Sequence, residues 1–329
     1  MFLPGTVVPG SFSVPADSRT PPLFSNGTNS GILKSSIEKG GRNMNLCDYN
    51  TIRELLGRHG FHFSKSMGQN FLIDPQVPYD IAAASGADEH CGVLEIGPGV
   101  GPLTAELAKR AGKVVAVELD KALLPVLSET MAPYPNVEIV PGDVLKLDLA
   151  ALAAEKFQGL TPIVCANLPY NITSPVLEKL VETPCFQSIT VMIQREVAQR
   201  LCAPEGSSQG GSFTLFLRYY METELLFDVP REKFLPPPKV TSAVIRCVRR
   251  PEPAVSVPDE AFFFKVMRGA FLLRRKTLSN SLSAALPGYS RERIQSAMAN
   301  CGIPANARGE QLTLTDFAAL AQALSDLEK

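Results

Sequence analysis

The sequence predicts an α/β protein in which helices wrap a parallel sheet, followed by a small all-helical part. Three observations lead to this prediction. From about Gly92, apolar strand-like runs alternate with helical runs, which is the pattern of a parallel sheet. A glycine-rich turn separates the first of these strands from its helix. Beyond a proline-rich linker at 249–260, apolar residues recur at helical spacing only.

Composition bounds the class of protein. Hydrophobic residues make up 45% of the 329 positions and charged residues 20%, as in ordinary globular proteins. No apolar run approaches the roughly 18 residues of a membrane span. The seven cysteines are scattered and never form a C-x-x-C pair, which argues against a disulfide framework and a zinc site. We therefore expect a cytoplasmic protein with no membrane attachment and no metal.

The first 43 residues differ from the rest of the chain. Gly, Pro and Ser occupy 18 of these positions, and no helical or strand periodicity is present. This composition predicts a disordered extension over 1–43, and we expect Met44 to be the natural start. The sheet is then predicted to lie in a domain over 44–250, and the helical domain covers 251–329.

Each element of the sheet domain follows from one run of residues. A first helix is expected where Ile52, Leu55 and Leu56 share a face. Strands and helices then alternate through CGVLEIG, GPLTAELAKRAG, KVVAVELD, KALLPVLSETMA, VEIVPGD, LAALAAEKF, TPIVCANL, SPVLEKLVE, SITVMIQ and REVAQRLC. The runs at 212–229 and 242–250 predict further strands with hairpin character, and the three runs at 261–286, 291–302 and 313–329 predict helices.

The glycine turn predicts a cofactor site. In VLEIGPGVG, Gly97 and Gly99 directly follow a strand, and glycine lets the backbone turn sharply close to a ligand. Glu118 ends the next strand, 21 positions after Gly97, where a carboxylate can accept both ribose hydroxyls of an adenosine-type cofactor. Asp143 follows the third strand and is placed to bind the amine of an adenine.

Two cofactor classes fit this pattern. NAD would need its pyrophosphate held by backbone N–H groups at the start of the helix. Pro98 and Pro102 remove two such donors, because proline carries no N–H. The loop therefore favours S-adenosylmethionine without excluding NAD.

The fourth strand ends in Asn167-Leu168-Pro169-Tyr170, which we interpret as the catalytic segment. An adenine amino group is a poor nucleophile, and the Asn167 side-chain oxygen and the Leu168 carbonyl are two acceptors for its N–H groups. Pro169 would direct that carbonyl outward. Tyr170 offers a face for stacking, worth ~1–3 kcal/mol per base. On the tetrapeptide alone, an ordinary turn after a strand is a competing interpretation.

Together these motifs resemble the ribosomal RNA adenine N6,N6-dimethyltransferase family, of the type that acts on the small subunit. The resemblance runs from about Asn45 to the C-terminus. The motifs follow in the family's order: KSMGQNFLID (65–74), EIGPGVGPLT (95–104), VELD (117–120), GDVLKLD (142–148), NLPYNITSPVLEKL (167–180), QREVAQRL (194–201), FLPPPKVTSAV (234–244) and RRKTLSNSL (274–282).

The resemblance implies a Rossmann-like class I S-adenosylmethionine-dependent methyltransferase domain with a small helical C-terminal domain. It implies that Asn167, Leu168 and Tyr170 hold the target adenine, and that Phe234 stacks on it from the other side. The cofactor contacts that it implies are Gln69, Asn70, Leu72, Gly97, Glu118, Asp143 and Asn167.

A basic region is the expected RNA contact. Between Arg231 and Asn280, eleven Lys and Arg face four acids, although the whole chain carries a net charge of −1. Such a region can bind a polyanion. By the resemblance, the residues that meet phosphates are Lys239, Arg274, Arg275 and Lys276.

The expected function is dimethylation at N6 of two adjacent adenosines near the 3′ end of 16S RNA, in the immature 30S subunit, by a monomeric enzyme with a role in small-subunit biogenesis. Two alternatives stay open. One is the related enzyme that methylates large-subunit RNA and confers macrolide resistance. The other is an RNA-binding assembly factor whose methylation is incidental. An NAD dehydrogenase would leave Asn-Leu-Pro-Tyr without a role.

Overall fold

The computed structural model describes residues 44–61 and 69–327. The extension predicted for residues 1–43 and the first four residues of the motif at 65–74 lie outside this part of the chain.

The described elements follow the predicted order closely. The strands are β1 (Phe71–Leu72), β2 (Cys91–Ile96), β3 (Lys113–Glu118), β4 (Val137–Pro141), β5 (Thr161–Asn167), β6 (Ser188–Gln194), β7 (Met221–Val229), β8 (Phe234–Leu235) and β9 (Ser242–Arg249). The helices are α1 (Tyr49–Arg58), α2 (Gln76–Ala84), α3 (Pro102–Ala108), α4 (Leu124–Thr130), α5 (Leu149–Lys156), α6 (Thr173–Glu182), α7 (Arg195–Leu201), α8 (Ser212–Tyr220), α9 (Glu260–Ala270), α10 (Leu278–Ala285), α11 (Arg291–Asn300) and α12 (Leu314–Asp326).

A seven-stranded sheet forms the centre, in the order β4-β3-β2-β5-β6-β9-β7. The first five strands are mutually parallel, and β9 runs antiparallel between β6 and β7. Helices connect the parallel strands, which confirms the predicted wrapped sheet. Because β2 lies beside β5, the carboxyl ends of the glycine-turn strand and of the Asn-Leu-Pro-Tyr strand meet at one edge.

One element prediction is wrong. The run at 212–220 was expected to be a strand, and it is the helix α8. Its aromatic and apolar residues favour strands by propensity, but they are buried around the helix, so the sequence shows no exposed face with helical spacing. The Thr214 hydroxyl accepts a hydrogen bond from Gly211 N at 3.2 Å and donates one to Arg200 O at 3.0 Å, which fixes the start of the helix.

Helix α8 joins the sheet to the C-terminal helices through what we call the aromatic junction, which consists of Phe216, Tyr219, Tyr220, Phe263 and Phe264. Tyr219 lies 5.3 Å from Phe263 and 5.0 Å from Phe264, ring centre to ring centre. Both tyrosine hydroxyls donate to the Glu260 carboxylate. One apolar core therefore runs from the sheet into α9–α12, and a domain boundary at residue 250 stays a prediction.

The short strands β1 and β8 form a separate two-stranded sheet. Phe71 pairs with Leu235 and Leu72 with Phe234. An ion pair between Lys233 and Asp74 continues this connection. The segment at 69–74 is thereby tied to the segment that carries the Pro-Pro-Pro-Lys run.

None of the helices in residues 44–61 and 69–327 combines the length and the apolar character that crossing a membrane requires.

Candidate active site

A cavity of about 270 Å³ opens at the carboxyl ends of the parallel strands. Its position is the usual ligand site of an open α/β sheet. Most of the predicted cofactor and catalytic residues line it together: Gln69, Asn70, Leu72, Gly97, Gly99, Glu118, Asp143, Asn167, Leu168, Pro169 and Tyr170.

The glycine turn has a backbone that requires glycine. Gly97 and Gly99 have φ angles of +68° and +64°, which residues with a side chain rarely adopt. A Cβ on Gly99 would also lie 3.2 Å from the Phe71 ring. The turn therefore brings bare backbone to the cavity wall, and it keeps Phe71 packed against it.

Glu118 presents a carboxylate at the end of β3. The residue is 6% exposed, and its Oε1 accepts a hydrogen bond from Asp120 N at 2.8 Å. Gln69 donates to the Asp120 carboxylate at 2.7 Å, which links the start of the described 69–74 segment to this strand end. Burial raises the pKa of Glu118, as expected for an acid awaiting polar partners in a closed site.

Asp143 lies two residues beyond β4, as predicted. Its Oδ1 accepts a hydrogen bond from Leu145 N at 3.0 Å. The adjoining Gly142 N donates to the carbonyl of Glu118 at 2.9 Å. The two strand-end carboxylates are therefore held at fixed positions on the same wall of the cavity.

Two unbonded acceptors lie at the end of β5. Leu168 N donates to Met192 O at 3.1 Å, which holds the segment against β6. Within the described residues, the Leu168 carbonyl oxygen accepts no backbone hydrogen bond, and the Asn167 side-chain amide beside it lines the cavity without a hydrogen bond to another described side chain. The pair is thus available to N–H groups of a ligand, as the sequence predicted for a target amine.

Tyr170 follows in the turn, with its ring partly buried and part of the cavity lining. Its hydroxyl lies 2.5 Å from the Ser242 hydroxyl. Burial raises the pKa of Tyr170, so the phenol is neutral at ordinary pH.

The structure does not bring Phe234 to the cavity. Its ring is 2% exposed and packs in the core cluster with Leu72 and Val229. The reason is its pairing in the β1–β8 sheet, which directs the side chain inward. Stacking of Phe234 on a base is therefore not part of this geometry, and its role stays a prediction.

Glu95 is a site residue that the sequence analysis missed. It lies in β2, is 1% exposed and lines the cavity, and its Oε2 has no hydrogen-bond partner among the described residues. Burial raises its pKa from the ordinary 4.5 to about 8, and the charge of Glu118 adds to that rise. The signal was available, because one acid stands between Leu94 and Ile96 in an otherwise apolar strand.

The basic region contains fewer free cations than its sequence suggests. Five of the eleven form ion pairs with acids, and Arg249 donates to three backbone carbonyls. Of the eleven cations of this region, all of them among the described residues, the exposed ones without an acidic partner are Lys239, Lys265, Arg274, Arg275 and Lys276. Four of these are the predicted phosphate contacts.

The lining fits an adenosine-type cofactor with a cationic amino-acid end. Glu118 and Asp143 offer carboxylates at successive strand ends for ribose hydroxyls and an adenine amine. The unpartnered Glu95 oxygen offers a hydrogen-bond acceptor at the cavity wall, and an ammonium group bound beside it would favour the ionised form of the carboxyl. In residues 44–61 and 69–327, no group of three or more His, Cys, Asp and Glu is arranged to hold a metal ion.

Comparison with known proteins places the chain in a family. The family described as ribosomal RNA adenine dimethylase matches residues 60–326. The chain is 46% identical over 276 residues to ribosomal RNA small subunit methyltransferase A of Anoxybacillus flavithermus, covering 83% of this chain and 94% of that protein. The relative of the same name from Bacillus mycoides is also 46% identical, over 279 residues, covering 84% and 96%.

Solved structures agree on the fold. A dimethyladenosine transferase from Plasmodium falciparum has a TM-score of 0.65 at 23% identity, covering 78% of this chain and 97% of that one. The 23S rRNA methyltransferase ErmE has a TM-score of 0.58 at 28% identity, covering 78% and 99%. Because the family match covers most of the sequence, the chain belongs to the ribosomal RNA adenine dimethylase family of methyltransferases.

Proposed function

We propose that the protein transfers methyl groups from S-adenosylmethionine to N6 of two adjacent adenosines near the 3′ end of 16S ribosomal RNA, during biogenesis of the small subunit. The observation that carries the proposal is the pair of unbonded acceptors on Asn167 and Leu168, at a cavity also lined by Glu118 and Asp143. The 46% identity to small-subunit enzymes supports the choice of RNA.

The acceptors activate the amine. An adenine N6 lone pair is delocalised into the ring, which makes the nitrogen a weak nucleophile. Hydrogen bonds from its N–H groups to the Asn167 oxygen and the Leu168 carbonyl would favour the geometry in which the lone pair lies on nitrogen. These oxygens also stabilise the positive charge that nitrogen gains, an effect that is large in a preorganised site.

The remaining residues position the reactants. S-adenosylmethionine supplies an electrophilic methyl on a sulfonium sulfur when it is bound. Tyr170 holds the base by stacking, and Glu118 and Asp143 hold the nucleoside end of the cofactor. As the new nitrogen–carbon bond would form, the carbon–sulfur bond would break and sulfur would keep its electron pair. The cationic nitrogen would then lose its proton to water. Positioning supplies much of such a rate enhancement.

RNA contact is proposed for Lys239, Arg274, Arg275 and Lys276, whose side chains are exposed and lack acidic partners in the described part of the chain. Unpaired loop adenosines can be turned out of their stack into a pocket. We further propose that the enzyme acts as a monomer in the cytoplasm on the immature 30S subunit.

The large-subunit enzyme is the second candidate, since ErmE shares the fold at 28% identity. The higher identity to small-subunit relatives favours the first candidate. An assembly factor with incidental methylation is less favoured, because it gives no reason for two free acceptors beside the cofactor cavity.

A transfer assay with labelled S-adenosylmethionine separates the candidates. Immature small subunits, naked ribosomal RNA and large subunits would be offered in parallel. We expect label on small subunits and little on large subunits. Label on large subunits alone would overturn the proposal, and RNA binding without transfer to any substrate would favour the assembly factor.

A further inference from the structure

The ring of Tyr170 is held at both ends. Its backbone lies in the turn after β5, and its hydroxyl lies 2.5 Å from the Ser242 hydroxyl at the far end of the ring. Ser242 is the first residue of β9 and has an exposure of 0%. Stacking needs only the flat face of the tyrosine ring, so it does not by itself require a buried partner for the hydroxyl.

Ser242 is a rigid anchor. It pairs with Gln194 on β6 and with Val229 on β7, so strands flank it on both sides. A serine has one side-chain torsion that moves its oxygen, and a strand held on two sides cannot shift to follow a partner. The hydroxyl is therefore a fixed point of the sheet, whereas the Tyr170 backbone lies outside the sheet.

We propose that Ser242 is a positioning residue for methyl transfer, because its hydroxyl fixes the far end of the Tyr170 ring, and with it the direction of the ring axis, where the target adenine stacks. The inference rests on the proposed function of Tyr170. A stacked base follows the ring beneath it, so a ring whose far end swings away displaces N6 from the two acceptors. Preorganisation of this kind acts on the rate of transfer more than on the binding of RNA.

The connection is constant over the neutral pH range. Burial raises the pKa of Tyr170, and a serine hydroxyl does not ionise there. The bond therefore acts as a permanent tether, and pH changes near neutrality leave it in place.

The test compares four proteins: wild type, Tyr170→Phe, Ser242→Ala and the double variant. Each single variant removes the same bond while keeping the ring. We expect each to lower kcat on the order of 10–100-fold, with little change in KM for RNA, in cofactor affinity or in thermal stability. The double variant should be no slower than the slower single variant, because the second change has no bond left to remove.

Two matched controls separate positioning from packing. Tyr219→Phe removes a tyrosine hydroxyl that bonds Glu260 at 3.1 Å, away from the cavity. Thr190→Val removes a fully buried hydroxyl from β6. Neither should change kcat. Tyr170→Ala should be slower than Tyr170→Phe, since it removes the stacking surface as well.

The outcomes distinguish the two levels of the proposal. If wild type transfers methyl groups but the two single losses multiply in the double variant, Ser242 does not act through Tyr170. A loss that appears in KM or thermal stability instead of kcat also contradicts the positioning role. If wild type transfers nothing to small subunits, or Tyr170→Ala is as fast as wild type, the proposed function or the stacking itself is wrong.

Discussion

The cavity and the aromatic junction differ in whether their polar side chains have hydrogen-bond partners. At the junction, Tyr219 and Tyr220 both direct their hydroxyls to Glu260, and the surrounding rings pack against each other. In the cavity, the buried Glu95 Oε2 atom has no hydrogen-bond partner among the described residues. A buried polar group without a hydrogen-bond partner costs free energy, and at the wall of a cavity a ligand can supply the missing partner. The comparison separates the part built for stability from the part built for chemistry.

The largest expected effect comes from Asn167→Ala. The variant loses one acceptor at the reacting nitrogen, and we expect kcat to fall on the order of 10²–10³-fold. Its thermal stability and RNA affinity should stay close to wild type, because the amide has no partner to lose in the described structure. Initial rates, melting curves and filter binding measure the three quantities.

Asn136→Ala is the matched control for that change. The Asn136 amide donates to Ala108 O and Ala111 O at 2.9 and 3.0 Å, so its loss should lower stability by about 1–2 kcal/mol. Methyl transfer per folded molecule should be unchanged. Equal losses of stability in both asparagine variants, with activity kept in both, would contradict the claim that the Asn136 amide stabilises the fold and the Asn167 amide serves methyl transfer.

At the junction the expectation is reversed. Phe263 is fully buried between sheet and helices, and Phe263→Ala should cost about 3–5 kcal/mol of the free energy of unfolding. The kcat of the remaining folded enzyme should equal that of wild type. Urea unfolding and initial rates at low temperature test this; a rate loss without a stability loss would contradict it.

Glu95→Gln should change the pH dependence of stability. The pKa of Glu95 in the folded protein is about 8, against 4.5 ordinarily. The folded state therefore retains a proton that the unfolded chain loses. The stabilisation is full below pH 4.5 and is lost as pH rises through 8. The neutral glutamine removes this loss, so wild type should lose a few kcal/mol relative to the variant, roughly 3–5 by linkage.

Urea unfolding at pH 5 and pH 8 measures that difference. Glu155→Gln is the control for the substitution itself, because the Glu155 side chain is 69% exposed. Parallel pH profiles for wild type and Glu95→Gln would mean that Glu95 is already ionised in the folded protein.

The smallest effect is expected at the surface. Arg275→Ala should weaken RNA binding about tenfold at low salt and reduce the salt slope by about one phosphate contact. Arg250→Ala is the matched control, since Arg250 is already paired with Glu222 at 3.1 Å. Equal losses for the two variants would show that ion pairing does not decide which cations reach RNA.

Sequence patterns predicted the parallel sheet because each strand is a short apolar run followed by a helix with its own periodicity. They also predicted that the cofactor residues lie together, since residues at the ends of parallel strands, such as Glu118 and Asp143, meet at one edge of the sheet. They failed for α8, where burial of many faces removes the helical signal. Tertiary contacts decided that this segment is a helix.

Other features of the structure depend on partners distant in sequence. The inward direction of Phe234 depends on its pairing with Leu72, more than 150 residues away. The pairing of Arg268 with Glu178 depends on α9 and α6 approaching each other. From one sequence, each residue can only be given the role that is usual for its type. These long-range contacts give Phe234 and Arg268 other partners. Glu95 is different, because a single acid in an otherwise apolar strand is visible in the sequence itself.

The most direct measurement of the central claim is mass spectrometry of nuclease fragments of small-subunit RNA after reaction with the purified enzyme. We expect two adjacent N6,N6-dimethyladenosines in one fragment near the 3′ end, formed by wild type and absent with Asn167→Ala. Methylation elsewhere in the RNA, or the same two dimethyladenosines formed at the wild-type rate by Asn167→Ala, would contradict it.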